Sequence, residues 1–410
     1  MPVSSHRGFG ALRHRNFTLF LLARFCATLA VQMQGVAVGW QVYNLSGNPL
    51  DLGLVGLAQF APFSVLVLVA GQVADRADRR FILFVCYAVE CLCGILLLHF
   101  TLSGLQAVWP VFAVMGLYGS ARAFMMPAGQ AIMPNLVPEE SFANAVALGS
   151  SSFQVATLVG PTLGGLLYLL GPDIVYFSVA CLLLVSLLLM FFTRIGRPAA
   201  STTPASWRSL LEGLHFVWSR PVVLGAISLD LFAVLFGGAT ALLPAVARDI
   251  LHVGPTELGL LRTAPGAGAA LTAMTLAFFP ISRRVGRWMF DGVALFGVAT
   301  ILFGLSDNLW LSLAALSLLG VGDMVSVYIR QMLVQLETPD GIRGRVSAVN
   351  SVFIGASNEL GEFESGLAAA WLGLAPSIIL GGGMTLLVTL LWVRGFPALR
   401  RMDQFPYIRR

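Results

Sequence analysis

Apolar runs of about twenty residues or more recur along the whole chain, and each is long enough to cross the hydrocarbon core of a bilayer as a helix. The short segments between them hold most of the charge. With 57% apolar and only 11% charged residues among 410, this composition cannot belong to a soluble domain. The chain therefore reads as an all-α polytopic membrane protein, its helices satisfying their own backbone hydrogen bonds where no water is available.

Six spans occupy the first half, over roughly Phe17–Tyr43, Asp51–Ala74, Phe81–Leu102, Ala107–Gln130, Phe142–Leu170 and Ile174–Thr193. Proline, serine and threonine then interrupt the pattern between Arg194 and Ser206, where no buried helix can continue. Trp207–Trp218 comes next, with apolar residues at 207, 210, 211, 214, 217 and 218, and is expected to be an amphipathic helix lying in the membrane interface. Six further spans cover Val222–Val246, Glu257–Phe279, Trp288–Leu305, Trp310–Leu336, Val346–Leu372 and Ser377–Trp392. The expected organisation is twelve transmembrane helices in two six-helix halves, 1–195 and 221–410, joined by a cytoplasmic linker at 196–220. Val137-Pro-Glu after the fourth span is echoed by Thr338-Pro-Asp after the tenth, which supports two repeats with a substrate site between them near the midplane.

All 25 basic residues are arginine. Arg24, Arg122, Arg262 and Arg330 lie within spans, Arg248 falls on the face opposite the termini, and the rest share the face of the N-terminus. That asymmetry places both termini in the cytoplasm of a cell (inner) membrane protein, and it accounts for the net charge of +5 without a nucleic-acid partner. The five cysteines fall within apolar runs and are expected as small buried hydrophobes rather than disulfides. Cys86, Glu90 and Cys93 share a helical face, but no histidine lies near that depth, so no metal and no cofactor is expected. Nor does any nucleotide-binding loop suggest direct use of ATP.

Gly71-x-x-x-Asp75-Arg76-x-x-Arg79-Arg80, between spans two and three, resembles the signature loop of the major facilitator superfamily, with Asp78 standing where glycine is usual. The resemblance implies a transporter, not an enzyme. It also implies a cytoplasmic latch in which Gly71 lets spans two and eleven approach and Asp75 sits near Arg343 and Arg345 at the start of span eleven. Gly160-Pro161-x-x-Gly164-Gly165 in span five is similar to the motif of the antiporter branch, whose proline kink and small residues would pack closely on a neighbour, expected to be span eight.

Span eleven carries three carboxylates at membrane depth, which should face a cavity or partners rather than lipid. Ser347, Ser351, Asn358, Glu362 and Ser365 fall on one stripe with Glu359 adjacent. This run, with Gly320-Val-Gly-Asp323 and Arg343-Gly-Arg345 upstream, resembles the enterobactin exporter group within the superfamily. The resemblance implies proton-driven export of a siderophore or similar amphipathic molecule, with multidrug efflux, or uniport or import of another solute, as alternatives on the same fold. A non-transporting scaffold or sensor is the rival from another class.

The remaining intramembrane polar residues complete the expected site. Arg24 and Gln32 stand on a polar stripe of span one, Arg122 in span four, Asp230 in span seven, and Asp323 and Arg330 in span ten. The superfamily resemblance implies that spans one, four, seven and ten line the cavity. Arg330, nearer the cytoplasmic end, is equally placed to snorkel. Asp230, Glu359, Glu362 and Glu90 are the candidate proton carriers, because coupling needs a carboxylate whose protonation depends on access to water. The expected partners are thus a small-molecule substrate, protons and the lipid bilayer, with the chain acting as a monomer.

Overall fold

A computed structural model describes residues 10–194, 207–339 and 342–405; the linker expected around 196–206 and the last five residues lie outside them. The first helices are α1 (Arg15–Ser46), α2 (Pro49–Arg76), α3 (Arg79–Leu102), α4 (Trp109–Ile132), α5 (Glu139–Tyr168) and α6 (Pro172–Phe192). After the linker come the short α7 (Trp207–Ser219), α8 (Pro221–Phe236) and the single turn α9 (Leu243–Ala245). The chain continues through α10 (Pro255–Phe278), α11 (Val285–Gly304), α12 (Leu309–Glu337), α13 (Arg343–Leu372), α14 (Leu374–Gly395) and the terminal turn α15 (Pro397–Arg400). Among the described residues, ten segments are long and apolar enough to span a membrane. With α10 and α13, whose small and charged residues lower their hydropathy, they complete the expected set of twelve.

Helix boundaries obey local chemistry. Asp78 caps α3 by accepting from the Arg80 backbone N–H at 2.9 Å, so the acid that replaces the usual glycine starts a helix rather than neutralising an arginine. Asn308 caps α12 in the same way, accepting from Trp310 and Leu311. Gly171 and Gly373, with φ of 124° and 90°, turn the chain between consecutive helices in a region that side chains avoid.

Span seven departs from expectation. It is not one helix but α8, then Gly237-Gly238, a 3₁₀ turn at Ala239–Leu242, α9, and a π-helical turn at Val246–Ile250. The paired glycines end α8 and Pro244 opens the next turn, so helical hydrogen bonding cannot run through.

The helices form two compact units, one of Met1–Gln41 with Ala58–Ala205 and one of Val42–Leu57 with Ser206–Arg410. In the first, α3 packs on α4 and α6, burying Tyr87, Tyr176, Leu83 and Leu183. In the second, α11 packs on α12 and α14 around Leu229, Val285, Met289 and Ile329. Backbones meet closely there: a Cβ on Gly322 would stand 2.5 Å from the Gly292 carbonyl oxygen. That close approach brings α11 against the turn carrying Asp323. The five cysteines form no disulfide, and Cys181 is exposed where a buried thiol was expected.

The amphipathic helix α7 follows the linker. It packs on α13 and α8, with Val217 buried beside Val223, Ile227, Val346 and Val349, while Trp218 stays 67% exposed. Glu212 forms an ion pair with Arg345, and a Cβ on Gly213 would lie 2.9 Å from the Arg345 carbonyl oxygen. Among the described residues of its apolar face, Leu214 and Val217 pack on the valine-lined start of α13 and Trp218 stays outside.

Candidate functional site

In the second unit, Arg330 of α12 reaches Asp230 of α8, with Nη2 3.2 Å from Oδ2 and the two side chains 3% and 6% exposed. Its Nη1 donates to Asn350 Oδ1 of α13 at 3.0 Å. Arg330 therefore does not snorkel; it ties three helices together at a buried point. Seven residues earlier on the same face of α12, Asp323 joins Asp230, Ser326, Val234 and Phe296 around a cavity of about 10 Å³, room for one water. Arg330 Nε and Ser326 Oγ are buried without hydrogen-bond partners. Two carboxyl groups thus line one water-sized space, and one of them, Asp230, is paired with Arg330, an arrangement whose charge balance one proton can change.

Neighbouring polar residues of α13 differ in exposure. Glu359 is buried, whereas Asn358 is exposed and donates to the Ile354 carbonyl of its own helix at 2.9 Å. The Glu362 carboxylate lies against α2, where a Cβ on Gly56 would stand 2.8 Å from Oε2. Glu362 is also the opposite charge acting on Arg262 of α10, whose Nε is buried without a hydrogen bond.

In the first unit, two intramembrane arginines each lie over a phenyl ring: Arg24 over Phe153 at 5.4 Å and Arg122 over Phe63 at 5.5 Å. Gln32 donates weakly to the Thr157 carbonyl at 3.5 Å. Glu90 is 1% exposed, and neither carboxyl oxygen has a hydrogen-bond partner. Cys86 and Cys93 flank it, their thiols directed at the Ala121 and Val114 carbonyls of α4. Among the described residues no three His, Cys, Asp or Glu side chains gather to hold a metal.

The sequence motifs are only partly placed as expected. Gly71 lies within α2, while Arg79 donates to the Ala131 carbonyl of α4 at 2.9 Å and Arg80 to that of Phe191. The side chains of Asp75, Arg76 and Arg343 lie outside the described residues, and with them the expected latch. Arg345, expected near that latch, forms an ion pair with Glu212. Gly160 and Gly164 are seated on α1 rather than on the anticipated span eight: added Cβ atoms would stand 2.5 Å from Gln32 Cβ and 2.9 Å from Met33 Cα. Pro161, Gly164 and Gly165 are buried in the same helix.

Asn350 and Ser326 were not singled out from the sequence as site residues, although Asn350 opens the polar run of span eleven and Ser326 follows Asp323 by three residues. Only the Arg330 geometry distinguishes Asn350 from the other polar residues of span eleven. Tyr43, which meets Asp249 and Arg248 in the second unit, carried no sequence signal at all.

Comparison with known proteins agrees with this architecture. The family model described as transmembrane secretion effector matches residues 6–407. Enterobactin exporters of Shigella boydii and Citrobacter koseri are each 26% identical over 398 residues, covering 96% of this chain and 94% of theirs. Among solved structures, a bacterial homologue of the human lysosomal transporter Spinster superposes with a TM-score of 0.73 at 13% identity, over 94% of this chain and 96% of that one. The nucleoside transporter NupG gives a TM-score of 0.73 at 13% identity, over 93% and 100% of the two chains.

Proposed function

The chain belongs to the transmembrane secretion effector family of major facilitator transporters, and from that premise we propose that it exports a siderophore or similar amphipathic small molecule in exchange for protons. The two halves would give access to each side of the membrane in turn. Both termini would lie in the cytoplasm of a bacterial inner membrane, as the arginine asymmetry requires.

The observation that carries the proton part is the cluster in which Asp230, paired with Arg330, lines a water-sized cavity together with Asp323. With both acids ionised, the cluster holds one uncompensated negative charge in a place poor in water, and binding one proton removes it. Protonation of the acid facing Arg330 would loosen the tie between α8, α12 and α13, so proton binding and helix movement share one contact. Arg24 and Arg122, each backed by a phenyl ring, offer cations to an acidic or polyphenolic substrate, and the rings offer apolar surface to its remainder. The names of the similar exporters support a siderophore as that substrate.

The test is uptake of enterobactin into inverted vesicles carrying the protein, with and without an imposed proton gradient. Gradient-dependent uptake that falls about tenfold in Arg24→Gln, the loss expected for one charge-assisted contact, supports the reading. Uptake that persists after the gradient is collapsed removes the proton coupling. No enterobactin uptake, together with gradient-driven uptake of an unrelated amphipathic drug, removes the siderophore.

A further inference from the structure

Hydroxyl groups inside these helices have a habitual partner: Ser186, Ser228, Ser317 and Thr300 each donate to the carbonyl four residues earlier. Ser326 of α12 does not. It is 2% exposed, its Oγ has no hydrogen-bond partner, and it lines the same cavity as Asp230 and Asp323. Arg330 takes Oδ2 of Asp230 and leaves Oδ1, while Asp323 makes no hydrogen bond or ion pair among the described residues. Three side chains thus bring oxygens without hydrogen-bond partners to one water-sized space.

The charge around that space selects what can fill it. With both acids ionised, Asp230, Asp323 and Arg330 sum to one negative charge, and Val293 and Phe296 of α11 add none. A monovalent cation brings the sum to zero, whereas a divalent ion would leave a buried positive charge. Carboxylate and hydroxyl oxygens suit a hard ion, and no thiol or imidazole is present to favour a soft one. The backbone adds to this preference. Ala233 and Val234, in the last turn of α8, line the cavity, and the helix stops at Phe236, so the negative end of its dipole lies there. Interrupted helices present such ends to cations inside membranes.

We propose that this cavity binds one sodium ion, held by Asp230 Oδ1, the Asp323 carboxylate and Ser326 Oγ, with Arg330 kept on Asp230 Oδ2. The ion ties α8 to α12 where Arg330 already joins them. Sodium occupies the same cluster as the proton proposed above, but its binding needs only the ionised acids and not proton exchange.

The test is equilibrium binding of radioactive sodium to the purified, detergent-solubilised protein in choline chloride, at a fixed and mildly alkaline pH. Saturable binding of about one ion per chain is expected for the parent, as the charge balance admits one. Ser326→Ala, which removes an oxygen and no charge, is expected to weaken binding about tenfold, and Asp323→Asn to abolish it. A cooperative melt in choline chloride shows that each variant is folded, and replacing choline by sodium should raise the parent's melting temperature more than that of either variant. No saturable binding to the parent, or equal binding to parent and both variants, would overturn the site. Displacement by potassium as effective as by unlabelled sodium would overturn sodium as its occupant. Proton-driven transport is not read in this assay: sodium binding stands if transport proves independent of the gradient, and its absence leaves the proton proposal as it was.

Discussion

Arg330 and Asp230, a hundred residues apart, meet at 3.2 Å with almost no exposed surface, and Asn350 completes the guanidinium's partners. Removing one member of a buried pair strands the other, at a cost of about 3–5 kcal/mol. Asp230→Asn should therefore lower the melting temperature of the solubilised protein by on the order of 10 °C and abolish gradient-driven transport. Replacing both residues, Asp230→Leu with Arg330→Met, should recover most of the stability because no charge is left buried. Transport should not return. Recovery of both would make the pair a structural tie alone.

Glu90 has no partner for either oxygen, so its polar atoms gain nothing from the fold that water did not already supply. Glu90→Leu is expected to stabilise the protein by roughly 1–3 kcal/mol, read as a higher melting temperature, while slowing proton-driven transport. An acid kept in so unfavourable a place is expected to serve the transport cycle. A transport rate equal to the parent's would remove Glu90 from the proton path.

The docking of α7 can be separated into charge and shape. The Glu212–Arg345 pair is substantially exposed, so Glu212→Gln should change stability by only about 0–1 kcal/mol. Gly213→Ala forces a methyl group toward the Arg345 carbonyl oxygen and Val349, and should cost about 1–3 kcal/mol. Thermal melting of the two variants distinguishes them: a larger loss for Glu212→Gln would mean that the ion pair holds α7.

Asp78 offers a comparison within the signature loop. As the cap of α3 it should be replaceable by the family's usual glycine at a few tenths of a kcal/mol, whereas Asp78→Ala should cost about 1 kcal/mol. Equal melting temperatures for the two variants would mean that the cap contributes nothing.

The span count was legible because it rests on local chemistry, the length of each apolar run, and the transporter reading because the Gly71–Arg80 loop and span eleven resemble a known family. Individual charges were legible as unusual but not as partnered. Asp230, Asp323 and Arg330 were all identified from their depth, yet the same argument set Asn358 beside Glu359, and the two point to different surroundings. Helical periodicity gives the angle between residues on one helix; it does not give the rotation of that helix against its neighbours. The interruption of span seven was missed for a related reason, since hydropathy averages across Gly237-Gly238 and records only an apolar run.

The sequence by itself determined that this chain spans a membrane many times and that a few acids and arginines remain inside the spans. These features arise from the cost of placing backbone and charge in hydrocarbon, a cost each segment meets alone. Only the tertiary structure decided that Arg330 turns inward to Asp230 and Asn350, that Glu362 rests on Gly56, and that Tyr43 is caught by Arg248 and Asp249. Those pairings depend on which helix faces meet, and that is settled by close packing of small residues summed over whole helices.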